Sequence, residues 1–185
     1  RNSLTTAALE KVGAKLVAVD GKSRRVGKGP KERFAVEVER GLRIDAEAFA
    51  TAVERILFDK RSWARREGFS LRRTGDSAKA TFIVMLSSPT TTDRLCAPLA
   101  TGGIFSCAQG SRAVINAARW RGGAPSFGED LMNYRRYLIN HEVGHTLGRS
   151  HRGCPAPNVR APVMMQQTKG VGECTPNPWP RSDEA

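Results

Sequence analysis

All three histidines of the chain fall in one eleven-residue string, His141-Glu142-Val143-Gly144-His145-Thr146-Leu147-Gly148-Arg149-Ser150-His151. On an α-helix, residues four apart project from one face about 6 Å apart along the axis, so His141 and His145 can bring two imidazoles to one ion. Helices commonly stop at a glycine in the left-handed conformation, which makes Gly148 the expected helix-terminating turn. The chain then doubles back, and His151 is the expected third ligand. Three neutral imidazoles leave one tetrahedral position for water, the open coordination that separates a catalytic zinc from a closed structural one. Glu142 cannot easily share the face of its neighbour His141; it is expected to reach that water as catalytic base, zinc having lowered the water's pKa to about 7. A purely structural site would not need the carboxylate. The chemistry expected is hydrolysis of an amide bond with one catalytic Zn2+.

Those side chains need a rigid carrier. Leu131, Tyr134, Leu138 and Val143 recur at helical spacing and predict a helix that leads into the histidines, core on one side and ligands on another. A second long helix is predicted from an Asp45 N-cap to about Arg66, on Phe49, Val53, Ile56 and Leu57. Short β-prone runs at 15–19, 34–38, 69–73 and 80–86 predict strands. The run 80–86 is so continuously apolar that it belongs in the middle of a sheet. Gly21 to Lys31 reads as a loop, Pro89 to Pro98 as the brackets of another, and Ile104–Cys107 and Arg112–Asn116 as two more extended pieces. Seven of the ten prolines lie beyond residue 124 and six beyond 150, so the C-terminal segment is expected to be irregular.

At 185 residues, with 39% hydrophobic and 26% charged residues, the chain has the size and composition of one folded domain. We expect residues 1–148 to form an upper part with sheet and zinc helix, and 149–185 a small lower part. No apolar stretch approaches the roughly 20 residues of a membrane helix. The net charge of +12 favours anionic partners. The basic residues are spread and not clustered, however, so a solvated basic surface and no specific nucleic-acid site is expected. Cys96, Cys107, Cys154 and Cys174 permit three pairings, of which proximity favours 96 with 107 and 154 with 174. Neighbouring pairs suit an oxidising, extracytoplasmic compartment. We expect an exported monomer, extracellular or at the cell surface, its leader or anchor absent from this sequence.

The eleven residues from His141 to His151 resemble the extended zinc signature of the metzincin clan of metallopeptidases. The resemblance implies an α+β fold with a twisted mixed sheet, two long helices, and a Met-containing turn beneath the zinc. Pro162-Val163-Met164-Met165 stands where that turn is expected, with Met164 the chosen residue and Met165 the alternative. It also implies an antiparallel edge strand that pairs with extended substrate, for which Gly103 to Cys107 is the candidate. Where several metzincins carry a Tyr two residues after the turn Met, this chain has Gln166; Gln166 or Gln167 could donate to the developing oxyanion instead. Pro176, Pro178 and Pro180 forbid a normal helix near the C-terminus. A 154–174 disulfide would then tie the lower part, and Trp179 is expected to pack there.

The wording at Thr92-Asp93-Arg94-Leu95-Cys96, Tyr137-Leu138-Ile139-Asn140 and Pro176-Asn177-Pro178-Trp179-Pro180 also resembles a family of exported proteins of high-GC Gram-positive bacteria. The function expected is a zinc-dependent endopeptidase acting on a peptide or protein substrate, possibly acidic. The alternatives are a zinc amidase acting on cell-wall or other non-protein amides, and a polyanion-binding domain with a vestigial zinc site.

Overall fold

The computed structural model describes residues 15–184. Six strands form one mixed sheet: β1 (Leu16–Ala18), β2 (Lys31–Glu39), β3 (Ser70–Arg73), β4 (Phe82–Ser87), β5 (Cys107–Gln109) and β6 (Arg112–Asn116). The order β1-β2-β4-β6-β5 is parallel from β2 through β4 to β6 and antiparallel at both ends, with β3 also pairing parallel to β2. The nine residues of β2 give it room for both partners: β1 lies along Glu37–Glu39 and β3 along Lys31–Phe34. The continuously apolar β4 sits centrally between β2 and β6, as its composition requires.

Alternation along the strands divides the core in two. Phe34, Val36, Val84, Leu86 and Ile115 point to one face, where they meet the helices α1 (Ala46–Phe58) and α5 (Leu131–Thr146). Met85 and Val114 point to the other, where they meet the disulfide-linked Cys96 and Cys107. The protein is α+β with a mixed sheet and two disulfides, Cys96–Cys107 and Cys154–Cys174, the pairings that proximity favoured. Asp45 caps α1 by accepting the Ala48 N–H at 3.0 Å.

Three expectations change. The first long helix does not run to Arg66. Asp59 leaves helical geometry at ψ 140°, and a separate short helix, α2 (Trp63–Glu67), follows. The break turns Trp63 inward, where its indole N–H donates to the Asn140 carbonyl at 2.8 Å. Pro89 does not open a loop but a helix, α3 (Pro89–Cys96), whose N-cap Ser88 accepts from Thr91 N–H; a proline that lacks the donor is tolerated there. The buried Glu39 carboxylate also accepts the Ser88 N–H at 2.6 Å, an acid at a helix N-terminus. The candidate edge strand at Gly103–Cys107 is largely a turn, because Asp93 accepts both Thr101 Oγ1 and the Gly103 N–H and folds the chain around itself. The edge strand begins at Cys107. Asn116 caps a short helix α4 (Ala117–Gly122), which follows β6 directly.

Candidate metal centre

Helix α5 is capped by Asp130, whose carboxylate accepts the Asn133 N–H at 3.0 Å, and it carries Tyr134, Tyr137, Leu138, Ile139 and Val143 into the core. Its last two turns present His141 and His145. Gly148 has φ +83°, the left-handed conformation that ends the helix without Cβ strain. The Arg149 N–H bonds back to the Gly144 carbonyl at 2.9 Å, and the reversed chain brings His151 to the other two histidines. The imidazole centroids stand 4.9, 5.3 and 4.6 Å apart for the pairs 141–145, 141–151 and 145–151.

Carbonyl groups decide which nitrogens face inward. His141 Nδ1 lies 2.8 Å from the Val163 carbonyl and His145 Nδ1 2.8 Å from the Arg149 carbonyl. A carbonyl only accepts, so each Nδ1 carries the proton and donates, and each Nε2 is left with a lone pair. His145 Nε2 and His151 Nε2 face each other at 3.0 Å. With a lone pair on His145 Nε2, that distance suits either a hydrogen bond donated by His151 Nε2–H or, with His151 in the other tautomer, a cation shared between the two nitrogens. Two ligands of one tetrahedral ion with bonds of about 2.0–2.1 Å stand roughly 3.3 Å apart, close to the 3.0 Å of this pair, and the candidate ligand atoms of all three histidines lie within 4.8 Å of one another. The three residues fit a metal ion, and burial favours it: it holds all three imidazoles below their ordinary pKa, His141 at about 3, so that they are neutral, as ligands must be.

Glu142 is 4% exposed, and burial raises its carboxyl to about 8, well above the usual carboxylate range. It lines the same cleft as the three histidines, a cavity of about 520 Å³. One wall comes from Leu99, Ala100, Thr101 and the run 105–108; the other comes from Gln166, Thr168 and Lys169. The run 105–108 enters β5 at Cys107, and since β5 is the antiparallel edge of the sheet among the described residues, that edge borders the cleft.

Beneath the site, Met164 is 1% exposed and lies against Gly144, while Met165 is only half-buried. A Cβ on Gly144 would run into Met164 Sδ and come within 2.9 Å of Trp63, so any larger residue before His145 would force Met164 or Trp63 to shift. Gln166 is exposed and lines the cleft. Gln167 does not: it is fully buried, its amide donating to the Pro162 and Asn177 carbonyls and accepting the Asn177 N–H, so it has no capacity left for an oxyanion. Trp179 packs as expected, 9% exposed under the Arg61 guanidinium at 4.2 Å.

Residues outside the histidine string hold this geometry. Tyr137 O–H donates to the Met165 carbonyl at 3.1 Å. Asn140 donates to the Arg136 and Pro178 carbonyls and accepts from Ser62 Oγ at 2.7 Å. Glu184, 1% exposed, accepts the Val163, Met164 and Arg181 N–H groups at 2.8 to 2.9 Å. It therefore fixes the peptide whose carbonyl orients His141. The polar stretch Arg181-Ser182-Asp183-Glu184 carries no pattern that would single it out.

The family described as Protein of unknown function (DUF3152) matches residues 5–179. No curated protein and no solved structure matches the chain.

Proposed function

The chain belongs to the DUF3152 family, and we propose that it is an exported, metzincin-like zinc peptidase, one catalytic domain with residues 149–185 as its small lower part. The observation that carries this reading is the convergence of three neutral imidazoles in a cleft whose lining also includes the Glu142 carboxyl. Zinc, when bound by three imidazoles, acidifies a water and polarises the attacked carbonyl. Glu142 is the general base. Its carboxylate takes a proton from the attacking water and returns it to the leaving amide nitrogen, so that the C–N bond gives way to a carboxylate and an amine. Burial has moved its proton affinity into the neutral range where such a shuttle works. Extended substrate would add to the edge at β5, and Gln166 is the donor for the developing oxyanion. The two disulfides suit an oxidising compartment, and no helix among the described residues is long and apolar enough to cross a membrane.

The test is incubation of zinc-loaded wild type and Glu142→Ala with a diverse peptide mixture, new termini being identified by mass spectrometry. Both proteins should hold metal. Wild type alone should cleave, with the variant slower by roughly 10²–10⁴-fold. If wild type retains zinc and cuts no peptide, the reading fails and the same groups are to be tried on non-peptide amides such as those of cell-wall polymer.

A further inference from the structure

Among the described residues, the cleft is lined by one acidic side chain, Glu142, and by one lysine and no arginine. The lysine is Lys169, in the segment that follows the Met164 turn. It does not belong to the wall it reaches: its ammonium stands 5.1 Å from the ring centroid of Phe105, on the sheet side. The two walls therefore meet at a cation resting on an aromatic face. It donates one long hydrogen bond, 3.4 Å to Gln166 Oε1, and forms no ion pair among the described residues. Its charge is felt at His151, where it is one of the influences that disfavour a proton, after burial and His145.

An ammonium laid across a cleft without a carboxylate partner is a binding element waiting for one. We infer that Lys169 marks a subsite for a substrate carboxylate close to the bond that is cut, a specificity element that rests on the peptidase reading. Lys169 is exposed, and Phe105 supplies the aromatic face that holds its ammonium over the cleft, free to donate a charge-assisted hydrogen bond to a carboxylate. The carboxylate has two sources, a free peptide C-terminus or an Asp or Glu side chain. Leu99, Ala100 and Ala108 give the cleft apolar surface for neighbouring side chains but no charge to compete with the lysine.

Binding, not turnover, tests this. Zinc-loaded Glu142→Ala protein is titrated by calorimetry with two matched pairs of short acylated peptides. One pair differs in a free or amidated C-terminus; the other is amidated and carries an internal Glu or Gln. At least one carboxylate-bearing member should bind about tenfold more tightly than its neutral partner, and the pair that responds identifies the source. Adding Lys169→Ala should abolish the preference, Lys169→Glu should reverse it, and Lys169→Arg should keep it. Equal binding within both pairs, or no binding, overturns the inference. So does a preference that survives Lys169→Ala, as it would if the carboxylate simply ligated the metal. Cleavage of neutral peptides by wild type with no such preference would remove the lysine subsite and leave the peptidase standing; a binding preference without any cleavage would do the reverse.

Discussion

Glu184 accepts three backbone N–H groups with its two oxygens: one, the Met164 N–H, belongs to the same peptide as the Val163 carbonyl that orients His141, and another, the Val163 N–H, belongs to the peptide before it. Replacing it with Gln puts an amide N–H against a backbone N–H, which costs about 1–3 kcal/mol as an unsatisfied buried donor. Partners that orient a ligand typically carry 10- to 100-fold in metal affinity. Glu184→Gln should therefore weaken zinc binding by about that factor in a competition titration with a chelating dye, while far-ultraviolet dichroism stays that of wild type.

The buried titratable groups predict a pH response of the metal-free protein. Glu142 is raised by burial from 4.5 to about 8. Below 4.5 the folded and unfolded chains both hold the proton. As pH rises toward 8 only the folded chain keeps it, so Glu142 erodes stability over that window. Metal-free Glu142→Gln should melt higher than wild type at pH 8 and with it at pH 4. The histidines act in the opposite direction: held below 6.5 in the fold, they cost stability as pH falls below the unfolded value. Equal melting temperatures at pH 8 in calorimetry would count against a buried, protonated Glu142.

At the scale of elements, α5 is both a core helix and a ligand carrier, and Gly144 is where the two roles collide. The inner face there is occupied by Met164 and Trp63, the outer by the histidines. Gly144→Ala should gain helix propensity, but it forces a methyl against a buried thioether and an indole, and overpacking of this kind costs typically 1–3 kcal/mol. The clash wins. The variant should unfold at lower denaturant than wild type and bind zinc more weakly, because Met164 has to move and the Val163 carbonyl is its neighbour. A variant as stable as wild type by urea titration would show that Met164 can shift freely.

Across the whole molecule, the segment after Gly148 has little regular structure of its own. Its one helical piece among the described residues is the 3-10 turn Ser182–Glu184. It is held instead by Gln167 and Asn177, by the bridge that pairs Arg160 with Thr175, and by the Cys154–Cys174 disulfide. Closing a loop of that length stabilises by about 3 kcal/mol, mainly by restricting the unfolded chain. Cys154→Ser with Cys174→Ser should lower the unfolding free energy by about that much and reduce zinc affinity. This segment supplies both His151 and the Val163 carbonyl, so the two effects are coupled. Loss of stability with unchanged zinc affinity would mean that the lower segment docks on the helix without it.

The three-histidine cluster was legible in the sequence because helical spacing is local: four residues place two imidazoles on one face, and a glycine ends the helix, whatever surrounds them. The strands 34–38 and 80–86, the caps at Asp45 and the pairing of neighbouring cysteines are equally local consequences of alternation, hydrogen bonding and chain length. The break at Asp59, the helix behind Pro89 and the turn around Asp93 were not, since each is set by a distant partner or by competition between near-equal local options. Gln166 and Gln167 show the limit most plainly. Adjacent and chemically identical, one lines the cleft and the other is sealed into a hydrogen-bond network with Pro162 and Asn177. Residue type fixes what a side chain can do, but which groups it faces depends on long-range packing, and only the tertiary structure brings Glu184 to His141's carbonyl and Lys169 across to Phe105.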